Sequence, residues 1–415
     1  MVKKNVYDWI SGVPLDEHSR RKLKILEEYF RQYLLIRCKL PQQSKFRLAI
    51  VDGFCGGGVY ECGSYGSPLL FLTGLQSAYR EINTLRAASG LQPLVIECVL
   101  ILNDESASAI EVLKENAAPI VAAIGEEDAG LHISVSFFSE AFETLYPKAL
   151  AKIQSMRLTN RIFNLDQCGY SDVTGETIRH IMSAPGSSEI FLTFGIQELF
   201  SFISRDVEKN TVPYGALGIS AEIDNLRNQT SNKGEWLGEV EKAAHSALKT
   251  NAKFVSPFSV HNPNGWRYWL LHFANNHRAR QAYNDILHKN SSMQAHFGRS
   301  GLNMLAYNPQ HEDGALYLFD EADRKRALDQ LYDDIPRVIK DVGDAMLMSD
   351  FYEMAYRETP AHSDDIHDAI MLNEDLTVMT PSGGPRRVAN AIKSDDIIKM
   401  TDQTTMYPLF GKLPS

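Results

Sequence analysis

Seven residues, Asp52-Gly53-Phe54-Cys55-Gly56-Gly57-Gly58, follow directly on the β-rich apolar run Phe46-Arg47-Leu48-Ala49-Ile50-Val51. Glycines at the end of a strand let the main chain approach a ligand closely, and the carboxyl edge of a doubly wound sheet is where nucleotides bind. The loop has neither the G-x-G-x-x-G spacing of the dinucleotide fingerprint nor the GK[ST] of a Walker A loop. An acid entering the loop is unfavourable beside a pyrophosphate, but it suits a ligand with an ammonium and a sulfonium, as S-adenosylmethionine (SAM) has. A tight structural turn is the alternative use of the same glycines.

Three further places carry candidate chemistry. Asp104 closes the next apolar run, where an acid can accept hydrogen bonds from both ribose hydroxyls or cap the following helix. Asp166-Gln167-Cys168-Gly169-Tyr170 closes a later one. There Asp166 is placed to take a proton or hydrogen bond from a target amine, Gln167 to pair with a base and Tyr170 to stack on one, so Asp166 and Tyr170 are the catalytic candidates. Cys168 reads as a small buried thiol. In Gly63-Ser64-Tyr65-Gly66-Ser67-Pro68, Ser67 sits at a cap and Pro68 at the first helical position, where a ligand carboxylate can also rest.

The elements that must hold these residues alternate. An amphipathic helix is predicted over 16–40, with Leu23, Ile25, Leu26, Tyr29, Phe30, Tyr33 and Leu34 on its apolar stripe. Strands are predicted over Phe46–Val51, Val95–Leu102, Ile133–Phe138, Arg161–Leu165 and Glu189–Phe194, with helices over 68–88, 107–116 and 174–182 between them. Continuous apolar strands separated by helices mean a parallel sheet covered on both faces. Residues 200–250 read as a polar insertion. Lys253–Val260 and Trp266–Phe273, joined by His261-Asn262-Pro263-Asn264-Gly265, read as a hairpin that closes the sheet with antiparallel strands.

The expected organisation is therefore an α/β Rossmann-type domain over 1–320, a connecting helix over 321–342 and a small winged helix over 343–415. The last comprises helices at 344–357 and 364–372, a strand at Leu376–Met379, a turn at Pro381-Ser382-Gly383-Gly384-Pro385 and a final helical piece near 394–399. Arg386 and Arg387 fall in the wing, where they would contact phosphates; the nearby Asp364-Asp365 favours protein contact instead.

Composition narrows the class. With 415 residues, 44% hydrophobic and 23% charged, the chain reads as a soluble protein of two or three folding units, and no apolar run reaches the ~20 residues of a membrane span. Its beginning, Met1-Val2-Lys3-Lys4-Asn5, lacks the apolar core of a secretory signal, so a cytoplasmic location is expected. Five scattered cysteines and twelve histidines show no zinc spacing, and no structural metal is assigned. A net charge of −10 argues against non-specific coating of nucleic acid while leaving room for one local basic surface.

Asp52-Gly53-Phe54-Cys55-Gly56-Gly57-Gly58, Gly66-Ser67-Pro68, Leu165-Asp166-Gln167-Cys168-Gly169, Arg267 through His277 and the N-terminal Lys22 through Tyr29 together resemble the three-Cys-motif partner proteins of bacteria. The resemblance implies a Rossmann methyltransferase-like domain with a winged-helix tail, and SAM as ligand of Asp52, Gly53, Phe54, Gly56 and Gly58. The partner protein it implies is a three-Cys-motif protein. The chain departs from the family in two loops: Cys55-Gly56-Gly57-Gly58 replaces Ala-Gly-Pro-Gly, and Asp166-Gln167-Cys168-Gly169 replaces Asp-Pro-aromatic-Gly, which removes a stiffening proline. The leading expectation is a SAM-dependent methyltransferase acting on DNA or RNA, with Asp104 and Ser67 completing the cofactor site. Its rival is a SAM- or nucleoside-binding protein without turnover that docks a partner protein or DNA.

Overall fold

A computed structural model describes residues 7–167, 169, 171–196, 243–256, 259–261, 267–290, 294–297, 301–302, 316–317 and 320–401. The chain forms two compact units, Met1–His296 with Asn308–Gly314, and Phe297–Tyr307 with Ala315–Ser415.

The first unit is built from α1 (Glu17–Arg37), β1 (Lys45–Asp52), α2 (Ser67–Ala88), β2 (Val95–Asn103), α3 (Ala107–Glu127), β3 (Leu131–Phe138), α4 (Phe142–Ser155), β4 (Asn160–Leu165), α5 (Gly175–Ser183), β5 (Ser187–Phe194), β6 (Phe254–Ser256), β7 (Ser259–His261), β8 (Arg267–Ala274), α6 (His277–Lys289) and β9 (Gln294–Phe297). Strands β3-β2-β1-β4-β5 lie side by side and parallel, and β8 joins β5 antiparallel, carrying β6 and β7 on its other side. The fold is a Rossmann-like α/β sheet closed by antiparallel strands, as the apolar strand pattern implies. The chain reverses direction across the sheet between β1 and β4, the switch point at which such sheets open a crevice.

Strand burial follows the period of two. Ala49, Val51, Val99, Ile101, Phe163 and Leu165 pack with Leu145, Ile153, Ile178 and Ile181 of α4 and α5. On the opposite face Tyr29 of α1 sits edge-on to Phe191, its ring centroid 5.0 Å away, and its hydroxyl donates to Glu189 Oε2 at 2.6 Å. His272 Nε2 lies 3.2 Å from the same oxygen. This buried polar pin fixes α1 on the sheet. Asp16 caps the helix by accepting the Ser19 N–H at 2.8 Å. Helix α3 runs past the predicted stop at Asn116 to Glu127, carrying Pro119 in its interior, because Ala117 and Ile124 keep its apolar stripe buried. The hairpin is present as β7–β8, with Val260 opposite Tyr268; its expected Asn-Gly turn and most of the 200–250 insertion lie outside the described residues.

The second unit contains β10 (Leu316–Tyr317), α7 (Glu321–Asp341), β11 (Ala345–Leu347), α8 (Met348–Ala355), α9 (Ser363–Leu372), β12 (Leu376–Met379) and β13 (Ile397–Met400). Helix α7, which the sequence reading separates as a connection, belongs here: Ala327, Leu331, Ile335 and Ile339 recur every four residues and are fully buried. Helix, strand, helix, turn, helix and two wing strands make a winged helix, with the sheet ordered β11-β13-β12. Two local expectations are corrected. Ala345–Leu347 is a strand before α8, and the helical piece expected near 394–399 is strand β13, where fully buried Ile398 pairs with Met346 on one side and Val378 on the other. Pairing on both edges outweighs the local helical pattern.

Candidate cofactor site and winged-helix surface

The carboxyl ends of β1, β2 and β4 bring Asp52, Asp104 and Asp166 to one edge. Register sets this: Asp52 pairs with Leu102 on one side and Asn164 on the other, so Asp104 and Asp166 each stand two residues beyond a partner of Asp52. Asp52 is fully buried. Its Oδ1 accepts from Asn164 Nδ2 at 3.1 Å, while Oδ2 accepts no hydrogen bond of ordinary geometry. Burial pushes the carboxyl up to about 7, against the pull of the Ser67 hydroxyl and the Asn164 amide, and Asp166 adds to the rise. A buried carboxylate oxygen without a donor is costly, and a cationic ligand group would satisfy it.

The glycine loop is held from both sides. Gly53 N–H donates to Asn164 O at 2.9 Å, Cys55 N–H to Asn103 O at 2.9 Å, and Asn103 Nδ2 returns a bond to Gly53 O at 3.0 Å. Asp104 Oδ2 accepts the Gly56 N–H at 3.0 Å and its Oδ1 the Ser106 N–H at 2.9 Å. The cap of α3 is Ser106, which accepts from Ala109 N. Asp104 thus ties the glycine loop to the N-cap residue of α3. Cys55 is buried, and burial beside Asp52 and Asp104 drives its thiol well above the ordinary range, which makes it an inert filler.

Two glycines are required by what approaches them. Gly56 has φ +58°, and a Cβ there would collide with the Trp9 indole, which also covers Gly57. Gly58 has φ +83°, and a Cβ would stand 2.6 Å from Leu113. At these positions the bare backbone makes room for the protein's own side chains, the structural use of the glycines that stood beside ligand binding. Trp9 also stacks obliquely on Tyr60, with centroids 5.3 Å apart, and Tyr60 is close enough to Asp166 and Asp52 that their charges add to burial in raising its phenol. Ser67 begins α2 after Gly66, with Pro68 in the first turn, and it is buried within reach of Asp52. Phe54 packs against Phe142, its centroid 5.7 Å away.

Asp166 does not stand alone. Lys22 of α1 reaches the edge and places Nζ 2.5 Å from Asp166 Oδ1. Gln167 faces inward: its Oε1 accepts the N–H groups of Asp172 and Val173, both at 3.0 Å, so the loop before α5 occupies the oxygen expected to read a base. Tyr170 and Cys168 lie outside the described residues. Lys22, Trp9, Tyr60 and Asn164 are the residues that sequence reasoning missed. A lysine on the apolar stripe of α1 and an asparagine inside an apolar strand were the available signals.

In the second unit, α9 occupies the recognition position of the winged helix. Its exposed residues are Asp364, Asp368 and Leu372, followed by Glu374 and Asp375, while Asp365 turns inward to Arg324 Nε at 3.0 Å. In the wing Arg386 grips fully buried Asp396 with two bonds of 2.8 Å, so its guanidinium is committed to a carboxylate of the fold. Arg387 remains exposed.

Residues 306–383 match the GMT-like wHTH domain. The match covers α7 through β12, the core of the winged helix described above. The whole sequence finds no match among curated proteins. No helix of the described residues is long and apolar enough to cross a membrane.

Proposed function

We propose that the Rossmann-like unit binds SAM at the edge formed by Asp52, the Gly53–Gly58 loop, Asp104 and Ser67, and that the chain is a methyltransferase acting on nucleic acid. The observation that carries this reading is Asp52 Oδ2, a fully buried acceptor that takes no hydrogen bond of ordinary geometry, at the switch point of the sheet. It suits the ammonium of the cofactor's amino-acid end. SAM supplies the electrophilic methyl; the protein's part is to hold and orient it, and Asp166 would receive a hydrogen bond from the acceptor group. The winged helix supports nucleic acid as the acceptor class, with exposed Arg387 in the wing as the phosphate contact, because the carboxylates of α9 repel a phosphate backbone.

A second reading, a SAM sensor without turnover that docks a partner protein, draws on different contacts: Lys22 occupies Asp166, Gln167 faces inward and α9 is acidic. Calorimetric titration with SAM and S-adenosylhomocysteine, followed by transfer of labelled methyl to DNA, RNA and protein pools, separates the two. Binding with transfer to nucleic acid supports the first reading. Binding with transfer to none of the pools supports the second, and no binding of either ligand refutes both.

A further inference from the structure

We propose that Lys22 is the cation that receives the α-carboxylate of the cofactor's amino-acid end, exchanging Asp166 for it. The proposal rests on the SAM reading of the site and deepens it. An α-amino acid group is zwitterionic, with ammonium and carboxylate on one carbon, so its site must offer an anion and a cation within a few ångströms of each other. Asp52 Oδ2 provides the anion, buried and with no hydrogen bond of ordinary geometry. The cation must come from the same edge, which otherwise carries the three carboxylates Asp52, Asp104 and Asp166.

Lys22 meets that need by position. Its side chain is 10% exposed, buried against the sheet by the helix that Tyr29 pins seven residues later, two turns along the same face. Two hydrogen bonds bracket the carboxyl end of β4: Lys22 Nζ reaches Asp166, and Asn164, two residues earlier on the same strand, donates its Nδ2 to Asp52 Oδ1. Asp166, 33% exposed, is the partner that can turn away; Lys22 is not. Lysine so placed is expensive unless paired, and a ligand carboxylate pairs it as well as Asp166 does. In the exchange Lys22 keeps one carboxylate partner, and Asp166 is released to accept a hydrogen bond from the methyl acceptor. The lysines of α3 and α4, the helices that follow β2 and β3, are engaged elsewhere: Lys114 with Glu111, Lys148 with Glu140 and Lys152 with Ser136.

The test compares two ligands that share the nucleoside thioether and differ in the amino-acid end: S-adenosylhomocysteine, which has it, and 5′-methylthioadenosine, which lacks it. Affinities of the full-length protein are measured by calorimetry. In Lys22→Met the affinity for S-adenosylhomocysteine should fall about ten- to hundredfold, the range of a lost charged hydrogen bond, while that for methylthioadenosine holds within about twofold. Lys22→Arg should recover most of the loss. Equal losses for both ligands, or none for S-adenosylhomocysteine, overturn the proposal and leave Lys22 as a clamp on the Asp166 loop. Should Lys22→Met not fold, Asp166→Asn tests the exchange from the other side. Removing the competing carboxylate should tighten S-adenosylhomocysteine several-fold and leave methylthioadenosine unchanged, and a weaker or equal affinity overturns the exchange. Wild-type protein that binds neither ligand refutes the SAM reading itself. Wild-type binding with an unaltered Lys22 variant refutes only the role given to Lys22.

Discussion

Affinity for S-adenosylhomocysteine should rise steeply with pH through one group, Asp52. Its carboxyl, pushed up to about 7 by burial, is largely protonated in mildly acid solution and then offers the ligand ammonium no charge. If only the ionised form binds, the apparent affinity scales with the ionised fraction, about 3% at about pH 5.5 and about half at about pH 7, so the dissociation constant should drop roughly 16-fold across that window. The change corresponds to about 1.6 kcal/mol. The window stops below the ~7.7–8.0 at which an α-amino group loses its own proton, so the ligand stays cationic throughout. Calorimetry in buffers of different ionisation enthalpy should also register about one proton released per ligand at the acid end and about half of one near pH 7. Asp52→Asn removes the titrating anion; its binding should be weaker at every pH and flat. The stability of the unliganded protein runs the other way. A carboxyl raised from 3.8 to about 7 makes its full favourable contribution below about pH 4 and loses it as pH climbs through about 7, so wild type should lose ground to Asp52→Asn in thermal midpoint over that interval. Wild-type affinity constant within about twofold between pH 5.5 and 7 would refute the assignment of the ammonium to Asp52.

Two further perturbations address the loop and the wing. Gly56→Ala should destabilise the first unit, because the new methyl meets Trp9 at a backbone φ of +58°; Trp9→Ala in the same chain should relieve the clash but not the strain, a partial rescue readable in thermal midpoints. Arg386→Ala should lower the melting temperature of the winged helix by stranding buried Asp396, whereas Arg387→Ala should leave stability alone. If the wing contacts nucleic acid, Arg387→Ala should weaken binding across all sequences and reduce the salt slope by about one; an unchanged slope removes Arg387 from the interface.

The sheet was legible because its strands carry their own signal. Runs such as Leu48–Val51 and Leu100–Leu102 are buried on both faces, so hydrophobicity alone marks them, and each ends at the acid or asparagine where the backbone leaves the sheet. The wing was legible at its turn: Gly383 takes φ +88° and Gly384 O accepts the Thr380 N–H at 2.8 Å, as the glycine pair between two prolines implies. Strand β13 was not, because Ile397-Ile398 is too short a run to override the charged residues before it until β11 and β12 supply partners.

The carboxylates of the site were legible for the same reason, since each ends a strand, but their partners were not. Lys22 stands 144 residues from Asp166; only the fold of α1 across the sheet brings it there. Trp9 likewise reaches Gly56 from a segment with no periodic pattern of its own. Arg386 shows the converse: the sequence places a cation in a wing, and only Asp396 ten residues on, buried and in need of a donor, decides that the cation faces inward. A charged side chain is therefore read correctly from sequence when local backbone sets its direction, as at a strand end, and is read wrongly when a distant opposite charge sets it. Because Lys22–Asp166 is of the second kind, the fate of Asp166 is tied to α1: any ligand that uses Asp166 must first contend with Lys22.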